Sequence, residues 1–117
     1  MREIHFLRTV WADRQLAKLA PNNDIKRIGE RLGSDDFDVM ISTMMGLIQI
    51  MNEGYERKLH FDDPSHEINV ITTEELENMT EGELIELANK AFADMEEDAE
   101  TTIEAEPEKK DDLLVSN

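Results

Sequence analysis

Cysteine is absent from this chain of 117 residues. That excludes a disulfide framework, a zinc–thiolate site and thiol catalysis, and it fits a reducing compartment. The first fifteen residues, MREIHFLRTVWADRQ, contain neither an apolar signal core nor a small-residue cleavage site. The expectation is therefore no secretory signal and a cytosolic protein. A bilayer-spanning run is missing as well. The longest uncharged stretch covers residues 39–52, short of the roughly 20 apolar residues that a crossing needs. No glycine-rich phosphate loop precedes a helix, and no nucleophile motif occurs. The many carboxylates fall on predicted solvated helix faces or near the C-terminus. Paired acid–base carboxylates need a cleft that drives their pKa values apart, which a chain of this size has few residues to build. The expectation is a protein that is not an enzyme and that uses no cofactor.

Basic residues are scarce in one half only. Residues 1–61 carry nine Lys/Arg and nine Asp/Glu, whereas residues 62–117 carry three and nineteen, so the net charge of −16 arises entirely in the second half. Phosphate backbones and anionic membranes repel such a surface, and neither nucleic acid nor membrane is an expected partner. The acidity favours solubility and attraction to a basic partner.

What the chain does contain is one strongly apolar segment. Between Asp38 and Glu53 there is no charge, in a protein whose residues are 34% charged. Phe37, Met40, Ile41, Met44, Leu47, Ile48 and Met51 follow helical spacing, and Val39, Met45 and Ile50 add apolar surface on the other sides. A helix apolar nearly all round has to be wrapped by other elements. The expected fold is mainly α: four to five helices around this central one, with a short N-terminal strand as an option. The expected division is a helical domain over residues 1–98 and a disordered acidic tail over 99–117.

Around the central helix the signals are local. Residues 2–10 read as extended, because Ile4 and Phe6 alternate with Glu3 and His5. Trp11–Ala20 reads as a helix with Ala12, Leu16, Leu19 and Ala20 on one face, stopped by Pro21. Trp11, the sole tryptophan, is a core anchor or a partner contact. Asn22-Asn23 marks a turn. Asp24 caps a helix IKRIGERL with Ile25, Ile28 and Leu32 as its stripe. Gly29 within it is read as allowing close packing on the central helix. Gly33 ends it, and Ser34 or Asp35 caps the central helix. Gly46 is a second site where another helix can approach.

After Met51 the helix continues through Tyr55 and Arg57 into a loop, with an edge strand over residues 55–61 as the alternative. His60, Asp62, Asp63, His66 and Glu67 raise a metal site, but their spacing matches no zinc helix and no calcium loop, so none is expected. Thr72/Glu75 and Thr80/Glu83 form two capping boxes, with Ile71–Leu76 and Met79–Leu84 as hydrophobic staples. The second box opens a helix from Glu81 to about Asp98. Leu84, Leu87, Ala88, Ala91 and Met95 form its stripe, Ile85 and Phe92 widen it, and Glu86 and Lys90 stand at ion-pair spacing. Leu113, Leu114 and Val115 read as a frayed end or as a short docking motif.

The succession T-V-W-A-D-R-Q-L-A-K-L-A-P, D-I-K-R-I-G-E-R-L, the apolar helix ending in M-N-E-G-Y and an acidic helical C-terminal part resembles the tail assembly chaperones of long-tailed bacteriophages of Gram-positive hosts. The resemblance covers roughly residues 5–95 and lies in order and hydrophobic rhythm. The family's N-terminal β-hairpin is shortened or absent here. The resemblance implies a protein of the host cytoplasm, absent from the mature virion, that binds the tape measure protein, keeps it soluble and promotes assembly of tail tube protein around it. It also implies a longer form made by ribosomal frameshifting, for which Lys109-Lys110 marks a place where an adenine-rich slippery run would lie. Methionine-rich faces adapt to many apolar segments. Trp11, Met45, Ile50 and Tyr55 are the expected partner contacts, with any spare apolar surface covered by the client or by a second copy in a homo-oligomer. Two rival readings are an acidic phosphate mimic that occupies a nucleic-acid groove and a minor structural virion protein.

Overall fold

The computed structural model describes residues 3–104, and the side chains of residues 3–95. The chain is mainly helical, and no strand occurs among the described residues. Helix α1 spans Val10–Leu19, α2 Ile28–Leu32, α3 Phe37–Asp62, α4 Thr73–Glu77 and α5 Glu81–Glu104, with 3₁₀ turns at Pro21–Asn23 and Ile25–Arg27.

Helix α3 is the axis of the fold. Its 26 residues extend about 39 Å at 1.5 Å per residue, and α1, α2 and α5 all pack on it. Leu47, Ile48 and Met51 are fully buried at its centre. Around them lie Ile4, Phe6, Leu16, Ala20 and Ile28 from the N-terminal part, and Ile71, Leu76, Leu84, Ala88, Ala91 and Met95 from the C-terminal part. The enclosure is uneven. Met44, Met45 and Ile50 are half-buried against this core, and Phe37, at the start of the helix, is 61% exposed.

Local chemistry sets the helix ends. Thr9 Oγ1 accepts from Ala12 N at 3.1 Å and starts α1. Asn22 and Asn23 both take left-handed backbone conformations (φ 56° and 58°), which asparagine tolerates better than most residues. Asp24 does act as a cap, with its side chain accepting from Lys26 N, but the element it caps is short. The expected single helix is divided into a 3₁₀ turn and the five-residue α2. Gly33 N donates to Gly29 O at 3.0 Å and closes α2. The cap of α3 is Asp36, not Ser34 or Asp35: its carboxylate accepts from Asp38 N and Val39 N, while Ser34 Oγ takes Asp36 N. Both capping boxes form, with Thr72 N donating to Glu75 (2.9 Å) and Thr80 N to Glu83 (2.9 Å), each reciprocated through the threonine hydroxyl. Each cap is worth about 1 kcal/mol.

Other expectations meet the structure in different ways. The option of a short N-terminal strand is not realised. Residues 3–9 form neither helix nor strand, and Leu7 N donates to Met51 O, so the segment bonds to α3 and not to a ladder partner. The helix does continue past Met51 as expected, and residues 55–61 are the last part of α3 rather than the alternative edge strand. Gly29 is not a packing glycine: it is exposed, and nothing lies within 4 Å of where its Cβ would stand. A further correction is at α5, which continues to Glu104, past the expected end near Asp98. The expected disorder of the acidic tail lies, from residue 105 on, outside the described residues.

Gly46 does mark a close approach, since a Cβ there would come within 2.9 Å of Leu19 Cδ1 on α1. Among the described residues Glu86 and Lys90 form no ion pair, and the Lys90 ammonium stands 5.9 Å from the centre of the Phe6 ring. No helix among the described residues is long and apolar enough to cross a membrane.

Candidate interaction surface

A row of small and polar residues on one face of α3 organises the surface. Gly54 is buried, and a Cβ on it would stand 2.5 Å from Leu7 O and 3.3 Å from Ala12 Cβ. Its missing side chain lets the segment 5–7 lie directly on the helix, where Leu7 N donates to Met51 O at 3.0 Å. Asn52 beside it is 2% exposed. Its amide donates to His5 O (2.9 Å) and accepts from Ile71 N (2.8 Å). One side chain thus joins the N-terminal segment to the segment before α4. One turn further, Glu56 takes His66 Nε2 (2.8 Å) and Asn69 N (3.1 Å) on the same carboxylate oxygen. Buried polar groups need such partners, and here they hold two segments that form neither helix nor strand.

With the segments pinned, the start of α1 and the end of α3 form an open cleft of about 380 Å³ lined by Thr9, Trp11, Arg57, Lys58, His60, Phe61 and Ile68. The Arg57 guanidinium lies 4.3 Å from the centre of the Trp11 ring, a cation–π contact worth about 0.5–1 kcal/mol at an exposed site. Lys58 Nζ is 5.9 Å from the centre of the Phe61 ring. Phe61 is 81% exposed and Ile68 44%, and Val10, next to the lining in the chain, is 77% exposed. His60 Nδ1 donates to His66 O at 2.7 Å, which holds the 63–69 loop against the end of α3. The lining has two permanent cations and no carboxylate, in a chain with 28 acidic residues and 12 basic ones. Arg57 pairs with Glu53 and Lys58 with Asp62, one turn away along α3. Exposed pairs of this kind contribute roughly 0–1 kcal/mol, so both cations can turn to another carboxylate.

Of the four expected contacts, the structure brings only Trp11 to this cleft, where it is half-buried. Met45 and Ile50 pack against the core. Tyr55 is half-buried, with its ring 5.0 Å from that of His5. Arg57, Lys58, Phe61 and Ile68 were not expected. The signal for the first three was the i, i+4 spacing of Arg57 to Phe61 and of Lys58 to Asp62, which becomes informative only once α3 is known to run to Asp62. The five residues that raised a metal site do not assemble one, and no group of three or more potential ligands is placed to hold a metal among the described residues. Instead Asp63 accepts from Ser65 N (3.1 Å) and Ser65 Oγ (2.7 Å). These bonds, chiefly that of the hydroxyl, hold its carboxyl below the usual aspartate range.

Comparisons with protein-family models, with curated proteins and with solved structures find no match to this chain.

Proposed function

We propose that this chain is a tail assembly chaperone of a long-tailed bacteriophage. In this reading it acts without catalysis, in the host cytoplasm, by holding apolar segments of a tape measure protein until tail tube protein assembles around them, and it is left out of the mature virion. The observation that carries the reading is the exposed aromatic cleft at Trp11, Phe61 and Ile68 on a small helical frame. Contiguous exposed apolar surface of this kind marks an interaction site, and aromatic and arginine side chains are the usual anchors of one. Two stretches on which the family resemblance rests also meet here. T-V-W-A lies against M-N-E-G-Y through Gly54 and Ala12, and Trp11 and Arg57 line the cleft just beyond them.

Co-expression with the neighbouring tape measure protein tests the proposal. The client is expected in the soluble fraction only when this chain is present. Phe61→Ser, at a side chain 81% exposed, is expected to lower client solubility while leaving the chain folded. A client equally soluble without the chain would sink the proposal.

A second reading draws on a separate observation. Glu74, Glu75, Glu77, Glu81, Glu83 and Glu86 are exposed on the ordered frame of α4 and α5, as a phosphate mimic requires. Salt-sensitive binding to a nucleic-acid-binding host enzyme, with no effect on a tape measure protein, would select that reading.

A further inference from the structure

We propose that the Trp11–Phe61 cleft is covered, in the free protein, by the chain's own segment Asp111–Val115. The sequence Asp111-Asp112-Leu113-Leu114-Val115 places two carboxylates directly before three apolar side chains. The cleft presents the complementary set: Arg57 and Lys58 beside Trp11, Phe61 and Ile68, with no carboxylate among its lining residues. Asp111 and Asp112 meet attraction here from these two cations.

The connection is long enough. Arg8 Nη1 donates to Met95 O at 3.0 Å, so α5 passes beside the residue next to Thr9, which lines the cleft. From Met95 to Glu104 the helix advances about 14 Å. The nine residues from there to Leu113 span up to about 30 Å when extended, enough to return. Lys109 and Lys110 directly precede the two carboxylates, so the charge that favours docking is local to Asp111 and Asp112. A tether of this length makes the contact intramolecular and independent of protein concentration. Under the chaperone proposal the segment is a placeholder that a client displaces. The docking itself is measured without any client, so its failure leaves the chaperone reading standing.

Trp11 is the sole tryptophan, so its fluorescence reports on the cleft alone. The experiment is acrylamide quenching of the full chain, compared with full-length Leu113→Ser/Leu114→Ser, Asp111→Lys/Asp112→Lys and Arg57→Glu/Lys58→Glu. Each variant is expected to raise the quenching constant about twofold as the indole loses its cover, and 0.5 M salt to do so in part by screening. Combining the two charge reversals is expected to restore protection. Because the chain has no cysteine, a spin label at Ser116→Cys is unique, and it is expected to broaden the Trp11 indole resonance, an effect lost in the leucine variant. Equal quenching of the wild-type chain and the two tail variants, with no broadening, overturns the inference. Protection that grows with protein concentration also overturns it, and assigns the cover to a second copy.

Discussion

Replacing Asn52 is expected to disturb this protein more than any substitution in the cleft. The side chain is 2% exposed and serves two backbone groups on separate segments, the carbonyl of His5 and the amide of Ile71. In Asn52→Leu both bonds are lost, at about 1 kcal/mol each. The Ile71 N–H is then left in a buried setting without a partner, which adds about 1–2 kcal/mol. The extra apolar surface of leucine offsets little, since the site is shaped for a planar amide. The expected loss is about 3–4 kcal/mol, against a total stability of roughly 5–15 kcal/mol for a domain. Urea denaturation followed by far-UV circular dichroism measures it. Hydrogen exchange at Leu7 and Ile71 is expected to accelerate before exchange at Leu47 does.

Asn52→Asp gives a sharper test. The carboxylate still accepts from Ile71 N–H but faces the His5 carbonyl oxygen, so the charged form is disfavoured and its pKa in the folded state is raised. A protonated carboxyl can donate to His5 O as the amide did. For a carboxyl whose folded pKa is raised, stability relative to wild type is highest at low pH and falls as pH rises through the unfolded and then the folded value. The deficit of Asn52→Asp is therefore expected to shrink on acidification, while that of Asn52→Leu stays constant. A cost below about 0.5 kcal/mol for the leucine variant, the size of an ordinary surface change, would refute the bridging argument.

Two other perturbations separate local from tertiary causes. Gly54→Ala is expected to cost about 1–3 kcal/mol, since the new Cβ meets the Leu7 carbonyl and Ala12 rather than a flexible side-chain end. Gly29→Ala, where nothing stands in the way, is expected to stabilise by up to about 1 kcal/mol, and urea midpoints measured side by side check both signs. For Asp63, NMR titration is expected to show a carboxyl that titrates below the ordinary aspartate range, with Ser65→Ala moving it back up, because the Ser65 hydroxyl and amide favour the charged form. Such a depressed carboxyl adds stability above its unfolded value, and that part is lost as pH falls through the folded one.

The features legible in the sequence were those whose cause lies within a turn or two of chain. Thr72/Glu75 and Thr80/Glu83 announce helix starts because the partners of each bond are three residues apart. The buried stripe of α5 at Leu84, Ala88, Ala91 and Met95 follows from helical periodicity alone, as does the apolar axis at Leu47, Ile48 and Met51. Gly54 shows the limit. Next to Asn52 and Glu53 it has the composition of a turn, yet it lies inside α3, and its purpose is set by Leu7, a residue far back in the chain. Only the assembled fold places Asn52 between His5 and Ile71, and Glu56 under His66 and Asn69. In the same way Trp11 meets Arg57 because α1 is laid on α3 through a glycine that has no side chain to hold it off. The sequence alone determined a helical domain on an apolar axis, since helix formation answers to neighbours at i+3 and i+4. The cleft was decided by the tertiary structure, since it depends on which distant backbones a missing Cβ and a buried amide allow to touch.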